Sequence, residues 1–318
     1  RKATGGKIFI NEVEIDYDRD AIPVKYDNPA FARPTELLMD VYSRPRYREL
    51  DPTLMVSIVF PIFFGLILGD VGYGLILLLM SFGLGKLLKG EAVGQLLDTL
   101  RNASVSSIIF GILYSEFIGY ALPWKPFIFS RHLNIGGHST GHGPQVIELM
   151  IVSIWIGILH VTLGRVLGMV NARKLYHGSH ATKVVIANAG WIATMWGILV
   201  MIWSMFPIPV MPDLTGFPVV ALGLNAAAAL GAVFVIGGIV AIGQENALEL
   251  VEIPTILSHV LSYARLVAVG LSSVAIAMVV NFIAIGMLIE PQLEQFTPFG
   301  VVIIIAGLVV FLLGHLFN

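Results

Sequence analysis

Cysteine is absent from the 318 residues, which excludes disulfides, thiolate nucleophiles and cysteine metal sites and leaves the redox compartment undetermined. Charge is scarce too: Asp, Glu, Lys and Arg make up 13% of the chain, against roughly 25% in soluble domains. Apolar residues supply 56%, and mean hydropathy is +0.84. A soluble enzyme and a disordered tail are thereby excluded. A net charge of −2 lacks the basic excess that nucleic-acid binding needs, so no nucleic acid is expected as a partner. There is no Gly-x-x-x-x-Gly-Lys-Ser/Thr either; the fragments ending at Lys7 and Lys86 lack the spacing and the hydroxyl. The chain hydrolyses no nucleotide by itself, and no cofactor is expected.

The charge that is present sits at one end. Residues 1–53 hold 19 of the 40 Asp, Glu, Lys and Arg, leaving 21 for the other 265 positions. Length alone suggests about two domains, and this shift divides the chain. Residues 1–53 read as the end of a cytosolic domain and a linker, polar and turn-rich, with a strand or two over Lys7 to Ile15. Because the sequence opens on Arg1 rather than Met, a soluble part is expected upstream. Residues 54–318 read as a transmembrane domain.

Apolar runs occupy 54–85, 103–122, 147–171, 184–206, 218–242, 253–285 and 298–317, each near or beyond the roughly 20 residues that cross a hydrocarbon core. Lipid offers no partner to an unpaired peptide group, so these runs must be helices. Gly65 and Gly69, Gly164 and Gly168, and Ala226 to Gly231 suit close packing between them. The expected class is therefore all-α and polytopic.

The first run poses a counting problem, since 32 helical residues reach about 48 Å, too far for one upright span. A single crossing would split the basic residues against the positive-inside rule. If the chain instead reverses at Gly69-Asp70-Val71-Gly72, nine basic residues (Arg44, Arg46, Arg48, Lys86, Lys89, Arg101, Arg173, Lys174, Lys183) share one side and only Lys125 and Arg131 the other. The prediction is a short N-terminal helical hairpin and eight helices in all. The segments near 86–101, 173–183 and 243–252 then lie in the cytoplasm, and the last helix is cut short at Asn318. Asp70 reads as a turn residue at the outer end, with ion conduction the alternative.

Asp70, Glu116, His160, Arg165, Arg265 and His315 stand out among the few ionisable residues within the runs. A guanidinium there needs a partner or a use. Arg165, eight residues before Arg173, is about 12 Å from the interface and can snorkel. Arg265 is 13 residues from Glu252, about 20 Å, and cannot. Glu252, Thr255, Ser258 or His259, Ser262 and Arg265 recur at steps of three or four, a polar stripe from the cytoplasmic end to mid-membrane. The opposite face, Ile256, Leu257, Val260, Leu261, Ala264 and Ala268, is apolar. Pro254 suits the first turn. Such a stripe could serve only interhelical hydrogen bonds, with Arg265 paired to a fixed acid such as Glu116.

Five ordered motifs make the chain recognisable. Phe-Pro-Ile-Phe-Phe-Gly-Leu-Ile-Leu-Gly-Asp-Val-Gly-Tyr-Gly (60–74) resembles the first membrane motif of subunit a of rotary V-type and archaeal A-type ATPases, called subunit I in prokaryotes. Leu-Ser-His-Val-Leu-Ser-Tyr-Ala-Arg-Leu (257–266) is similar to its Ser-Tyr-x-Arg-Leu helix. Arg-Pro-Arg-Tyr-Arg-Glu-Leu-Asp-Pro (44–52), Gly-Ile-Leu-Tyr-Ser-Glu-Phe-Ile-Gly (111–119) and Gly-Ile-Leu-His-Val-Thr-Leu-Gly (157–164) match in order and spacing, so the resemblance covers nearly the whole chain.

The resemblance implies a non-catalytic stator subunit whose Arg265 faces a proteolipid ring of rotor carboxylates, with peripheral and central stalk subunits as further partners. Two half-channels would carry protons, or sodium ions, across the bilayer. The stripe of Glu252, Ser258, His259 and Ser262 would line the cytoplasmic one, and Glu116, deep in its helix near the outer end, is the candidate for the outer one. His160 and His315 are proton-relay candidates, with packing the favoured role for His160 and an equal alternative for His315. The family's second arginine would fall beyond Asn318. The short connection Gln244 to Val251 points to a prokaryotic, archaeal form in the plasma membrane, N-terminus inside.

His132, His138 and His142 lie in a glycine-rich outer loop; without acid or cysteine among them they read as a flexible cap, not a metal site. The alternative function is a secondary transporter in which Glu116, His160, Arg165 and Arg265 surround a small anion. Such folds show internal repeats, and the sequence has no second Gly-Asp hairpin or arginine stripe.

Overall fold

The computed structural model describes residues 24–132, 145–221, 223–295 and 297–318. The expected strand at Lys7 to Ile15 and the histidines at 138 and 142 lie outside the described residues. The described chain is helical almost throughout, as apolar runs without water require. A 3-10 turn (Arg33–Thr35) leads into α1 (Glu36–Tyr42), followed by α2 (Thr53–Leu68), α3 (Val71–Leu87), α4 (Glu91–Tyr114), α5 (Val146–Leu175), α6 (Gly178–Met205) and α7 (Ala226–Gly243). A 3-10 stretch (Ala247–Glu252) then enters α8 (Ile253–Leu261) and α9 (Ala264–Asn281), which runs through a π-helical stretch (Phe282–Ile289) into α10 (Glu290–Glu294); α11 (Gly300–Phe317) follows. Two small antiparallel hairpins, β1 (Glu116–Phe117) with β2 (Tyr120–Ala121) and β3 (Val219–Ala221) with β4 (Leu224–Asn225), complete the elements. Taking Ala247–Glu294 as one continuous span, six stretches among the described residues are long and apolar enough to cross a membrane, and α2 and α3 are shorter apolar helices. The protein is an all-α polytopic membrane protein.

The first run does break at Gly69 and Asp70. Asp70 leaves the helical conformation and caps α3, its Oδ1 accepting from the Tyr73 backbone N–H at 3.0 Å, which satisfies one of the orphan donors at a helix start. Its Oδ2 accepts from the Gly119 N–H at 3.2 Å. Neighbours along α4 show the reversal: Gly65 lies against Ser106 and Phe110, Gly69 against Tyr114, Gly74 against Ser104 and Ile108, and Gly85 against Leu97 and Arg101. So α2 runs parallel to α4 and α3 antiparallel to it. Each limb packs on α4 rather than on the other, a hairpin held open by a third helix.

Ends of the bundle are fixed by a few polar contacts. Leu50 N–H donates to Asn171 Oδ1 at 2.9 Å and Thr99 Oγ1 to the Pro34 carbonyl at 2.9 Å. Glu245 is within electrostatic reach of His180. Residues 34–52, 86–101, 171–180 and 243–252 thus share one end, the grouping that the basic residues predict. At the other end Gln145 N–H donates to the Ser130 carbonyl at 2.9 Å, beside the β1–β2 hairpin.

Small residues decide the closest approach. In the α6/α7 pair, Gly197 faces Gly231 and Gly190 faces Gly238; a Cβ on Gly231 would stand 2.8 Å from the Gly197 carbonyl oxygen, so neither position accepts a larger side chain without separating the helices. Gly65 and Gly69 pack as expected, but Gly164 has nothing within 4 Å and contributes no interface. The buried centre is Ile158, Trp191, Met195, Ile242, Ile256 and Val260.

Candidate functional site

The polar stripe starts where Asn246 Oδ1 caps the 3-10 stretch by accepting from Leu248 N–H at 3.1 Å. Pro254 occupies the first turn of α8, where its missing donor costs little. Between α8 and α9 the helix tightens: Tyr263 N–H bonds to the Val260 carbonyl at 3.2 Å, Arg265 to Ser262 at 3.2 Å and Leu266 to Tyr263 at 2.9 Å. These three-residue steps are a 3-10 turn set into an otherwise α-helical path.

Glu252, Thr255, Ser258, His259, Ser262 and Arg265 are all exposed on the lateral surface. Thr255 and Ser262 donate back to the carbonyls of Glu252 (2.6 Å) and His259 (2.7 Å), so they present oxygen lone pairs outward. Beyond Arg265 the outward face turns apolar at Val269, Ile276 and Val279. Of the expected apolar face, Ile256 and Val260 are buried, whereas Leu257 and Leu261 are exposed and flank the stripe. The inward face continues through Gly270, Val274, Ala277 and Asn281.

No hydrogen bond or ion pair joins the Arg265 guanidinium to another described residue. The pairing with Glu116 considered from sequence is not made. Glu116 is not within a helix either: α4 stops at Tyr114 because Ser115 turns left-handed (φ 62°) and hydrogen-bonds the carbonyls of Leu122 and Trp124. Glu116 therefore begins β1, and its partner is Arg131, whose Nη2 and Nε approach Oε2 at 2.6 and 3.1 Å.

Arg131 is the residue that sequence reasoning missed, as it counted only as an outer loop charge. It is 2% exposed. Besides Glu116 it donates to the carbonyls of Ile67 at 3.0 Å and Gly69 at 2.6 Å and lies 4.0 Å over the Tyr114 ring. It thus closes the open C-terminal carbonyls of α2, where a cation is favoured by the helix dipole. A loop position has no periodicity to betray such burial.

The remaining candidates are dispersed. His160 Nδ1 meets the Tyr263 hydroxyl at 2.7 Å. His315 joins Tyr73 of α3 (Nδ1 to the hydroxyl, 2.5 Å) to Asn281 of α9 (Nε2 to Oδ1, 2.9 Å). Arg165 stacks 4.4 Å from the Trp191 ring, in reach of Glu249 and Glu252 at the basic end. His132 is not a loose cap: it is 2% exposed, with Nε2 at 3.2 Å from the Ser115 carbonyl. Glu116 pairs with Arg131, His160 with Tyr263 and Arg165 with Trp191, while Arg265 has no partner among the described residues, so the four do not converge on one anion. Among the described residues no cluster of His, Asp and Glu could hold a metal.

A cation at mid-helix, exposed at the head of a polar stripe and without a partner among the described residues, is thus carried by a multi-pass membrane protein. The chain belongs to the V-type ATPase 116 kDa subunit family, whose model matches residues 6–124. It is 32% identical to the A-type ATP synthase subunit I of Archaeoglobus fulgidus, over 96% of this chain and 49% of that one. Identity is 29% to the corresponding subunit of Methanocaldococcus jannaschii (98% and 46%) and 26% to the V-type ATP synthase subunit I of Borreliella burgdorferi (95% and 48%). The chain spans about half the length of the curated relatives it matches.

Proposed function

We propose that this chain is the ion-translocating stator of a rotary A/V-type ATPase in the plasma membrane of an archaeal cell, with its N-terminus in the cytoplasm. The observation that carries the reading is Arg265, exposed at the inner end of the polar stripe and without a partner among the described residues. A guanidinium left without a partner in a membrane span has to find one in a neighbouring subunit. Carboxylates on a proteolipid ring supply that partner, one at a time.

The chemistry follows from charge. A ring carboxylate that approaches Arg265 is stabilised as the anion and releases its proton. On leaving toward lipid it must be protonated, because a bare charge there is costly. Glu252, Thr255, Ser258, His259 and Ser262 line the cytoplasmic path, and the apolar face beyond Arg265 keeps that path from continuing across. The outer path opens through a cavity of about 140 Å³ bounded by Tyr120, His132, Asn281 and Glu290, with Glu116 at the foot of the same hairpin. Arg265 separates the two, so rotation becomes net movement of protons or sodium ions. ATP is hydrolysed or made in the soluble subunits, joined through central and peripheral stalks.

The test is ATP-driven pumping in vesicles that hold equal amounts of assembled complex. Arg265→Ala should assemble and lose pumping; near-normal pumping overturns the reading. Purification of the intact complex should also bring down a proteolipid ring.

A further inference from the structure

Tyr263 is two residues before Arg265, at the tight turn between α8 and α9, and it points the other way. Its hydroxyl lies 2.7 Å from Nδ1 of His160 on α5. Phe63 of α2 completes the contact: its ring meets His160 at 5.4 Å and Tyr263 at 5.9 Å, with interplanar angles of 86° and 84°, while His160 and Tyr263 are 5.8 Å apart at 89°. Three rings from three parts of the chain thus pack edge to face, a favoured aromatic arrangement. Gly157 makes the docking possible, since a Cβ there would stand 2.7 Å from the Tyr263 ring.

We infer that Tyr263, locked by His160 and Phe63, is the positioning residue that aims Arg265 out of the bundle. The inference rests on the stator reading above. Two α-helical steps rotate a side chain by about 200° and two 3-10 steps by about 240°. With Tyr263 pinned inward, Arg265 has to face outward, and its azimuth is set by how tightly the turn is wound. Release of the tyrosine lets the turn relax toward regular α-helix, which swings the guanidinium by about 40° and carries it several ångströms from its place opposite the rotor.

The role predicts a signature that ordinary packing would not give. In the full complex, Tyr263→Phe and His160→Leu should assemble and hydrolyse ATP at normal rates. Ions pumped per ATP should fall roughly fivefold, the worth of one buried hydrogen bond, and passive proton leak should rise. His160→Gln, whose side-chain oxygen can accept from the tyrosine, should restore much of the coupling. The double variant Tyr263→Phe, His160→Leu should be no worse than the poorer single one. Normal ions per ATP in both single variants overturns the inference, and so does a loss of assembled complex in which the remainder couples normally. Arg265→Ala in the same vesicles tells the two readings apart: if it abolishes pumping while Tyr263→Phe and His160→Leu pump normally, only the positioning role falls; if it pumps normally, both fall.

Discussion

Arg131 Nη2 lies 2.6 Å from Glu116 Oε2, and the two side chains are 3% and 2% exposed. Each charge is tolerable there because of the other, and because the guanidinium also serves the C-terminal end of α2. Taking one partner from a buried pair costs about 3–5 kcal/mol, whereas an apolar replacement of both can be neutral. Arg131→Met should therefore lower the thermal stability and yield of the complex sharply, and Glu116→Leu with Arg131→Met should recover much of it. Equal stability of the single and double variants would show that the pair does not act as one unit. Glu116→Gln with normal assembly but lost pumping would instead put this carboxylate on the ion path.

Sidedness is tested by single cysteines in a chain that has none of its own. Position 94 lies in the first turn of α4, position 178 begins α6, and Phe127, 70% exposed, lies at the opposite end. Labels applied from the cytoplasm should reach 94 and 178 but not 127. Reaction of position 94 from outside alone would invalidate the hairpin topology.

Glu252 stands exposed at the mouth of the stripe. On the proposed stator reading its carboxylate would raise local proton availability while water could substitute for it, so Glu252→Gln should slow pumping severalfold at neutral pH without reducing assembly. Unchanged rates over a wide pH range would take Glu252 off the path.

Arg265→Lys should pump poorly, since an ammonium is a compact, strongly hydrated charge that can lose its proton when buried, while guanidinium stays charged and offers a planar fork. Arg165→Ala is the control. Its guanidinium already rests on Trp191, so most transport should survive. Loss in Arg165→Ala alone would move the essential cation to α5.

Burial pushes the His132 imidazole below its ordinary range, and the sign of the pH effect follows. The unfolded loop takes up a proton first, near about pH 6.5, so the stabilisation is complete above that value and drains away as pH falls through the lowered folded one. Melting temperature should drop on mild acidification, and His132→Gln should flatten the dependence. Identical pH profiles would contradict it.

Much of this protein was legible from the chain alone. Helices in lipid must satisfy their own peptide groups, so apolar length dictated the spans, and Gly69-Asp70 marked the one break in a run too long to cross once. The stripe from Glu252 to Arg265 was legible for the same reason: on a helix, spacing is geometry, and steps of three or four place side chains on one face. Where periodicity ends, so did foresight. Glu116 reads as part of a span, and only Ser115, turned left-handed against Leu122 and Trp124, takes it out of the helix and toward Arg131. Arg131 meets Glu116 15 positions away and Tyr263 meets His160 103 positions away. Which partner a buried charge meets, and which way a mid-helix arginine points, depend on how helices pack, and the sequence spells out no distance between helices.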